Sequence, residues 1–558
     1  MDNGPTRDTR ANGGCCTDRV ARDRLLVRTP VTPGSPAGDA SPPTPPVRMA
    51  AAAPHRAPVV SPDDEFNRAL VSAVRPPDWA NPRPTGRYDL VVIGAGTAGL
   101  VAAAGAAGLG ARVALVERHL LGGDCLNYGC VPSKALLRAA HAAHDARTAH
   151  EYGVRVTGGI EPDFGAAMAR LRRLRAGLAP HDSAARFAGL GVDVFLGHAR
   201  FAASDAIEVE GRRLAFSRAI VATGARAATL AVPGLDDAGV LTNETIFSLT
   251  ERPARLVVIG AGPVGCEMAQ AFARLGSRVT LVSLDRQLLP REDADTARLL
   301  ATVFEREGIT LRLGVSVTSV TRTGADRRVT IASDGIDEAI EGDEILVAVG
   351  RSPNVEGLDL EAAGIACTRA GVTVDDFLRT SNRRVYAAGD VCTPHKFTHA
   401  AEAMARLALQ NALFFGRKRV SSLVMPWATY TDPEVAHVGM GAADAARAGD
   451  RVVTLQVSLA DVDRAVLDGA TEGFARAHVD ARTGRLLGAT VVARRAGDLI
   501  GELSLAMTAG LAMDVLSRTI HPYPSVGEVA RKLGDAWMRR KLTPRVKSLL
   551  STLLAWRR

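Results

Sequence analysis

The sequence predicts an α/β protein with two dinucleotide-binding Rossmann-like domains followed by a C-terminal α+β domain. Three observations predict it. A strand, a glycine-rich turn, a helix and a second strand succeed one another from about residue 88. The same unit recurs from about residue 254, and the texture changes to hairpin-like segments after about residue 424. A chain of 558 residues is too long for one compact core, and 47% hydrophobic with 23% charged residues is a globular composition.

Taken in order, residues 1–85 are rich in Pro, Ala, Arg and Gly ("SPPTPPVRMAAAAPHRAP") with little periodicity, and read as a disordered or loosely docked extension. Met49 is a candidate true start. Cys15-Cys16 lacks other ligands at metal-site spacing and reads as two unpaired thiols. The first unit is "RYDLVVIGAGTAGLVAAAGAAGLGARVALVERH". Its apolar run, Leu90–Ile93, meets Gly94-x-Gly96-x-x-Gly99, and its second strand ends on Glu117, 23 residues past Gly94. Glycines permit the tight turn and the approach of a pyrophosphate to a helix N-terminus, and the acid can take a ribose hydroxyl pair.

Next comes "GGDCLNYGCVPSK", with Cys125 and Cys130 five positions apart. From the residues alone the pair is a structural staple, a metal clip or a reversible redox pair. Zinc would need a second ligand pair, which is not nearby. A helix-like stretch follows Cys130, and a helix N-terminus favours a thiolate.

The second unit, "ARLVVIGAGPVGCEMAQAFARLGSRVTLVSLDR", carries Gly260-x-Gly262-x-x-Gly265 and ends on Ser283 where the first has Glu117. Losing that acid removes the group that would repel a ribose 2′-phosphate. Arg286, or as a second candidate Arg278, can accept one, which tilts the reading to NADPH with NADH as the alternative. Two strand-turn segments, "RAIVATGAR" (218–226) and "EILVAVGRSPN" (344–354), match each other and close one unit each. A third, "RVYAAGDVC" (384–392), ends in Gly389-Asp390, an acid placed to hold sugar-like hydroxyls. Cys266 and Cys367 read as core fillers. The tail "RVKSLLSTLLAWRR" places Val546, Leu549, Leu550, Leu553 and Leu554 at helical spacing between basic residues. It is suited to packing on the protein's own dimer or to peripheral contact with an anionic membrane.

The totals exclude several classes. Residues 531–558 hold nine Lys and Arg against one Asp, which accounts for the net charge of +8, so the body of the chain is neutral and no nucleic-acid binder is expected. The 22 uncharged residues from Leu90 to Ala111 are interrupted by six glycines and read as strand, turn and helix rather than a membrane span. Seven cysteines and no visible signal peptide point to the cytoplasm, where a close Cys pair is more often catalytic or metal-binding than structural.

Over residues 86–544 this constellation resembles the flavin-dependent pyridine nucleotide–disulfide oxidoreductases, which include mercuric reductase, dihydrolipoamide dehydrogenase and glutathione reductase. The most specific element is the CxxxxC followed by Val131-Pro132-Ser133-Lys134, about 30 residues after a GxGxxG. The resemblance implies an FAD domain in two parts (86–250 and 353–423), an NAD(P) domain (251–352), a dimerisation domain (424–544) and a basic amphipathic tail (545–558). It implies a homodimer in which Cys125–Cys130 is a redox-active disulfide, Cys130 facing the flavin and Cys125 exchanging with substrate. It places Lys134 near the flavin, paired with Glu267. FAD contacts would come from Gly94, Gly96, Gly99, Glu117, Arg118, Lys134, Ala199, Thr223, Gly224, Gly389 and Asp390. NAD(P) contacts would come from Gly260, Gly262, Gly265, Ser283, Arg286 and Gly350.

One segment departs from the pattern. Disulfide-reducing relatives carry a His-Pro pair with a Glu four residues past the proline, the His acting as acid–base across the dimer. Here the segment is His521-Pro522-Tyr523-Pro524-Ser525-Val526-Gly527-Glu528. Alignment on Pro524 and Glu528 puts Tyr523 in the base position, and a Tyr with pKa near 10 is a poor base at neutral pH. Mercuric reductases carry a Tyr in this region, but their N-terminal CxxC domain and C-terminal cysteine pair are missing here. The expectation is a mercuric reductase-like enzyme whose acceptor is a thiophilic metal ion, quinone, small disulfide or reactive oxidant. The alternatives are a dihydrolipoamide dehydrogenase-type reductase and a non-catalytic flavin scaffold or redox sensor.

Overall fold

The computed structural model describes residues 47–48 and 60–558 apart from 325 and 334, all within one unit spanning residues 44–558. Cys15, Cys16 and Met49 lie outside the described residues. From residue 60 the expected loose extension is instead ordered. Helix α1 (Glu65–Val74) is capped by Asp64, whose Oδ1 accepts from Asn67 N at 2.8 Å. Leu70 and Val74, one turn apart, are fully buried. Beyond the helix, Trp79 Nε1 donates to Val194 O and Asn81 Nδ2 to Leu196 O. The surrounding Pro and Ala hid a short amphipathic turn that finds its partners far along the chain.

The first sheet is built from β1 (Arg87–Ile93), followed by α2 (Thr97–Gly108) and β2 (Val113–Glu117). Helices α3 (Cys130–Thr148) and α4 (Phe164–Leu178) then pass outside it. Strands β3 (Asp193–Leu196) and β4 (Arg212–Val221) complete the contiguous part. The parallel order is β3-β2-β1-β4. All five residues of β2 are buried, as a strand covered on both faces requires.

The second sheet is inserted after the first. It takes β5 (Arg255–Ile259), α5 (Pro263–Arg274), β6 (Arg278–Ser283), β7 (Thr310–Leu313) and β8 (Glu344–Val347), with parallel order β7-β6-β5-β8. The chain then returns. Strand β9 (Val385–Ala387) pairs with β4 of the first sheet, and α6 (Thr398–Leu413) follows it. The two sequence-matched segments pair with each other: Ala225–Ala227 lies antiparallel to Arg351–Pro353.

After residue 425 the fold is an antiparallel five-stranded sheet. Its strands are β10 (Pro426–Thr429), β11 (Glu434–Gly439), β12 (Val452–Ser458), β13 (Phe474–Asp480) and β14 (Leu486–Ala493), in the order β10-β11-β14-β13-β12. Helices α7 (Ala496–Thr508) and α8 (Val529–Arg540) cover it. The tail forms α9 (Pro544–Trp556), none of whose residues is buried. Among the described residues no helix is long and apolar enough to cross a membrane.

Candidate active site

The two glycine turns have one geometry. Gly94 and Gly260 adopt φ of +101° and +115°, which L side chains rarely reach. A Cβ on Gly99 or Gly265 would lie 1.8 Å from the carbonyl oxygen of Gly94 or Gly260, so only glycine lets each helix pack on its strand. Glu117 is buried at the end of β2 and accepts from Ala95 N and His119 N, both at 2.7 Å. Burial raises its pKa. Glu117, Arg118, Ala199 and Thr223 line one small cavity with Gly94.

The cysteine loop packs directly on this turn. Gly122 N donates to Ala95 O at 2.8 Å, and a Cβ on Gly123 would fall 2.5 Å from Gly96 Cα. Cys125 sits in the short helix Gly123–Asn127, and Cys130 opens α3. The two thiols are unbridged and near enough to couple electrostatically. The interaction with Cys125 holds the Cys130 thiol below its ordinary range, against burial and with help from Thr398 and Lys134. The same interaction, together with burial, pushes Cys125 up. The pair is therefore polarised, with the thiolate on the residue at the helix N-terminus.

Cys130 Sγ lies 3.2 Å from Thr398 Oγ1. Lys134 Nζ reaches Glu267 Oε2 at 2.8 Å and Oε1 at 3.1 Å. Glu267 also accepts from Tyr430 N at 2.9 Å, and Lys134 Nζ stands 4.5 Å from the Tyr430 ring centroid. Arg351, partly buried, pairs with Asp124 at 3.0 Å and approaches Asp390 at 3.9 Å. Gly389, with φ +81°, lets that turn approach Ala98 of α2 and Ala401 of α6. Thr223 Oγ1 donates to Asn354 O, and Asn354 N to Gly224 O, which ties the two returning turns together.

In the second unit Ser283 is buried and its Oγ accepts from Asp285 N at 3.1 Å. Arg286 follows, exposed. Gly350 adopts φ +121° beside β8. Arg278 stands at the opposite end of β6, roughly 16 Å from Ser283 at strand rise, whereas nucleotides bind at the carboxyl ends of such strands. It is therefore not a phosphate ligand, contrary to the sequence reading.

The C-terminal candidates make their contacts within the last domain. His521 Nε2 lies 3.1 Å from both carboxylate oxygens of Glu502, and its Nδ1 3.1 Å from Thr519 O. Tyr523 is 72% exposed and its hydroxyl donates to Asp463. Glu528 is buried and pairs with Lys532 at 3.0 Å.

The family model for pyridine nucleotide-disulphide oxidoreductases matches residues 88–405, more than half of the chain. The chain belongs to this family. The model for the family's dimerisation domain matches residues 425–533, which supports a homodimer. Mercuric reductase from Streptomyces lividans is 37% identical over 453 residues, 80% of this chain and 95% of that one. Dihydrolipoyl dehydrogenase from Thermus scotoductus is 36% identical over 461 residues, 80% and 97% of the two chains. Among solved structures, the Cu(II) complex of the HOCl-induced flavoprotein disulfide reductase RclA from Escherichia coli is similar, with a TM-score of 0.73 and 28% identity over 81% of this chain and 99% of that one. LpdA from Mycobacterium tuberculosis gives 0.74 and 29%, again over 81% and 99%.

As a member of this family the protein is an NAD(P)H-dependent flavoprotein disulfide oxidoreductase that uses FAD. The residues present fit such a group. A turn that admits no Cβ at Gly94 or Gly99, a buried acid at the next strand end and the Gly389-Asp390 turn converge on one side of the first sheet. Sequence reasoning missed Thr398, Tyr430, Asp124 and Arg351. Thr398 alone had a local signal, as the residue opening the alanine-rich run after the Gly-Asp turn.

Proposed function

We propose that this oxidoreductase passes electrons from NAD(P)H to the Cys125–Cys130 pair and from there to a small acceptor, in the manner of a mercuric reductase-like enzyme. The thiol pair, with Cys130 opening a helix, seated on the first glycine turn and beside Lys134–Glu267, is the observation that carries this reading. The glycine turn, Glu117 and the Gly389-Asp390 turn would hold FAD, which when bound would supply a two-electron relay between nicotinamide and sulfur. Lys134, fixed by Glu267 and Tyr430, holds a positive charge one helical turn from Cys130 and stabilises its thiolate. Cys125, kept protonated, becomes the exchanging sulfur once the disulfide opens. Ser283 and Arg286 favour NADPH, although Asp285 returns a carboxylate to that strand end.

The C-terminal segment would complete the site from the partner subunit. Both ring nitrogens of His521 are engaged, and the exposed Tyr523 donates its hydroxyl to Asp463. The bond to Asp463 raises the phenol pKa, so Tyr523 stays protonated at neutral pH and is a poor base. That favours acceptors needing no strong base, such as a thiophilic metal ion, over efficient lipoamide reduction. The test is NADPH oxidation with Hg(II), Cu(II), lipoamide, glutathione disulfide and quinones by wild type and Cys125→Ser. Acceptor turnover should vanish in the variant; turnover that survives it removes the dithiol from the mechanism. A bound flavin inert to both nicotinamides would instead favour the scaffold reading.

A further inference from the structure

Helix α9 begins on a capped turn, with Thr543 Oγ1 accepting from Val546 N and Pro544 at its first position, yet none of its residues is buried. The preceding helix, α8, buries Val529, Leu533 and Trp537 along one face. Helix α9 has such a face too, and it is uncovered. Val546, Leu549, Leu550, Leu553, Leu554 and Trp556 are all exposed, Leu549 by 71% and Trp556 by 84%. At about 100° per residue they occupy an arc of about 160°. The opposite face is small and polar. There Ser551 and Thr552 donate to Ser548 O at 2.8 and 2.9 Å. Thirteen residues make a marginal helix in water, so this apolar face needs a cover.

Charge identifies the cover. Residues 536–558 hold seven Lys and Arg and no Asp or Glu. Among the described residues no salt bridge engages any of the seven. Arg545 and Lys547 stand at the two borders of the apolar arc. We infer that α9 lies flat on an anionic lipid surface, with its leucines among the acyl chains, Trp556 at headgroup level, and Arg545 and Lys547 reaching sideways to lipid phosphates. A broad apolar face edged by cations with long apolar stems suits the boundary between acyl chains and headgroups. A second copy of the helix is a poorer cover, because it would set basic borders against basic borders. The family's dimerisation model also ends at residue 533, before α9 begins. A protein groove takes a narrower stripe of anchors one turn apart. The inference is independent of the electron path.

The test uses the full-length, FAD-loaded protein, sedimented with vesicles of phosphatidylglycerol, which is anionic, or of neutral phosphatidylcholine. The anionic vesicles should bind it about tenfold more tightly or better, and about 0.5 M salt should remove most of that preference. These arms need no variant to fold. R545Q/K547Q should weaken binding to phosphatidylglycerol about thirtyfold, at about fivefold for each charge. L549E/L553E should abolish it while flavin content and elution volume stay those of wild type. Failure to bind either vesicle, or a preference between them of less than twofold, overturns the lipid surface as the occupant. So does binding that survives L549E/L553E, which would place the membrane contact elsewhere on the chain. An L549E/L553E protein that elutes at half the wild-type mass would also overturn it, because the apolar face would then be covered by a second copy.

Discussion

Replacing Thr398 with Val should raise the pKa of the Cys130 thiol by about one unit. Thr398 Oγ1 lies 3.2 Å from the sulfur, and toward a thiolate only its hydroxyl can donate. A hydrogen bond to a charged group contributes about 1.5–3 kcal/mol, and sulfur's weakness as an acceptor selects the low end. At about 1.4 kcal/mol per pKa unit that is one unit. Because the folded pKa is lowered, the thiolate is lost as pH falls through that value, and in the variant it is lost one unit earlier. Below the wild-type midpoint, thiolate-dependent alkylation should therefore fall about tenfold. Cys130 and Cys125 titrate as a pair, so the readout is the midpoint of the pair. It is followed by thiolate absorbance near 240 nm on the reduced protein, with Cys130→Ser subtracted. Cys266 and Cys392 are pushed up to about 12 by burial and stay silent across the neutral range. A midpoint moved by less than about 0.3 unit would refute the reading of Thr398 as a thiolate donor, leaving Cys125, Lys134 and the helix N-terminus to account for the shift.

Three further outcomes are expected. Ser283→Glu should favour NADH by about tenfold in kcat/KM, the effect of about 1.4 kcal/mol of repulsion on a 2′-phosphate; unchanged nicotinamide efficiencies would sink the strand-end reading. Glu267→Gln should cost about 3 kcal/mol in chemical denaturation, the low end for breaking a buried pair because Lys134 is 37% exposed, and Lys134→Met in the same chain should recover part of it. Leu70→Ala should cost about 3 kcal/mol by the same assay, since this fully buried side chain anchors α1; no change would mean that the extension is dispensable.

What was legible in the sequence was what chain geometry forces locally. A glycine needed at φ +101° or +115°, and another needed because a Cβ would strike a carbonyl five residues back, leave a fixed spacing that recurs in both units. The cysteine pair was legible for the same reason. Thr398 and Tyr430 were not. Their contacts span 268 residues to Cys130 and 163 to Glu267, and no local periodicity records such a meeting. Helix α1 was missed because its anchors, Asp64 and Asn67, are satisfied by Arg172 and Arg175 of α4.

The insertion of the second sheet explains why distant segments carry the site. The first sheet is left after β4 and regained only at β9, so the Gly389-Asp390 turn is delivered beside the first glycine turn after the whole second unit has been built. Arg351, at the exit of that unit, then lies between Asp124 of the cysteine loop and Asp390 of the returning turn. One partly buried cation thus joins the redox loop, the inserted unit and the flavin-side turn. Arg351→Met would leave two carboxylates facing each other without it. The expected result is a protein that releases FAD on dialysis while wild type retains it. Equal retention would mean that the three segments are held by packing alone, and that Arg351 merely fills the space between them.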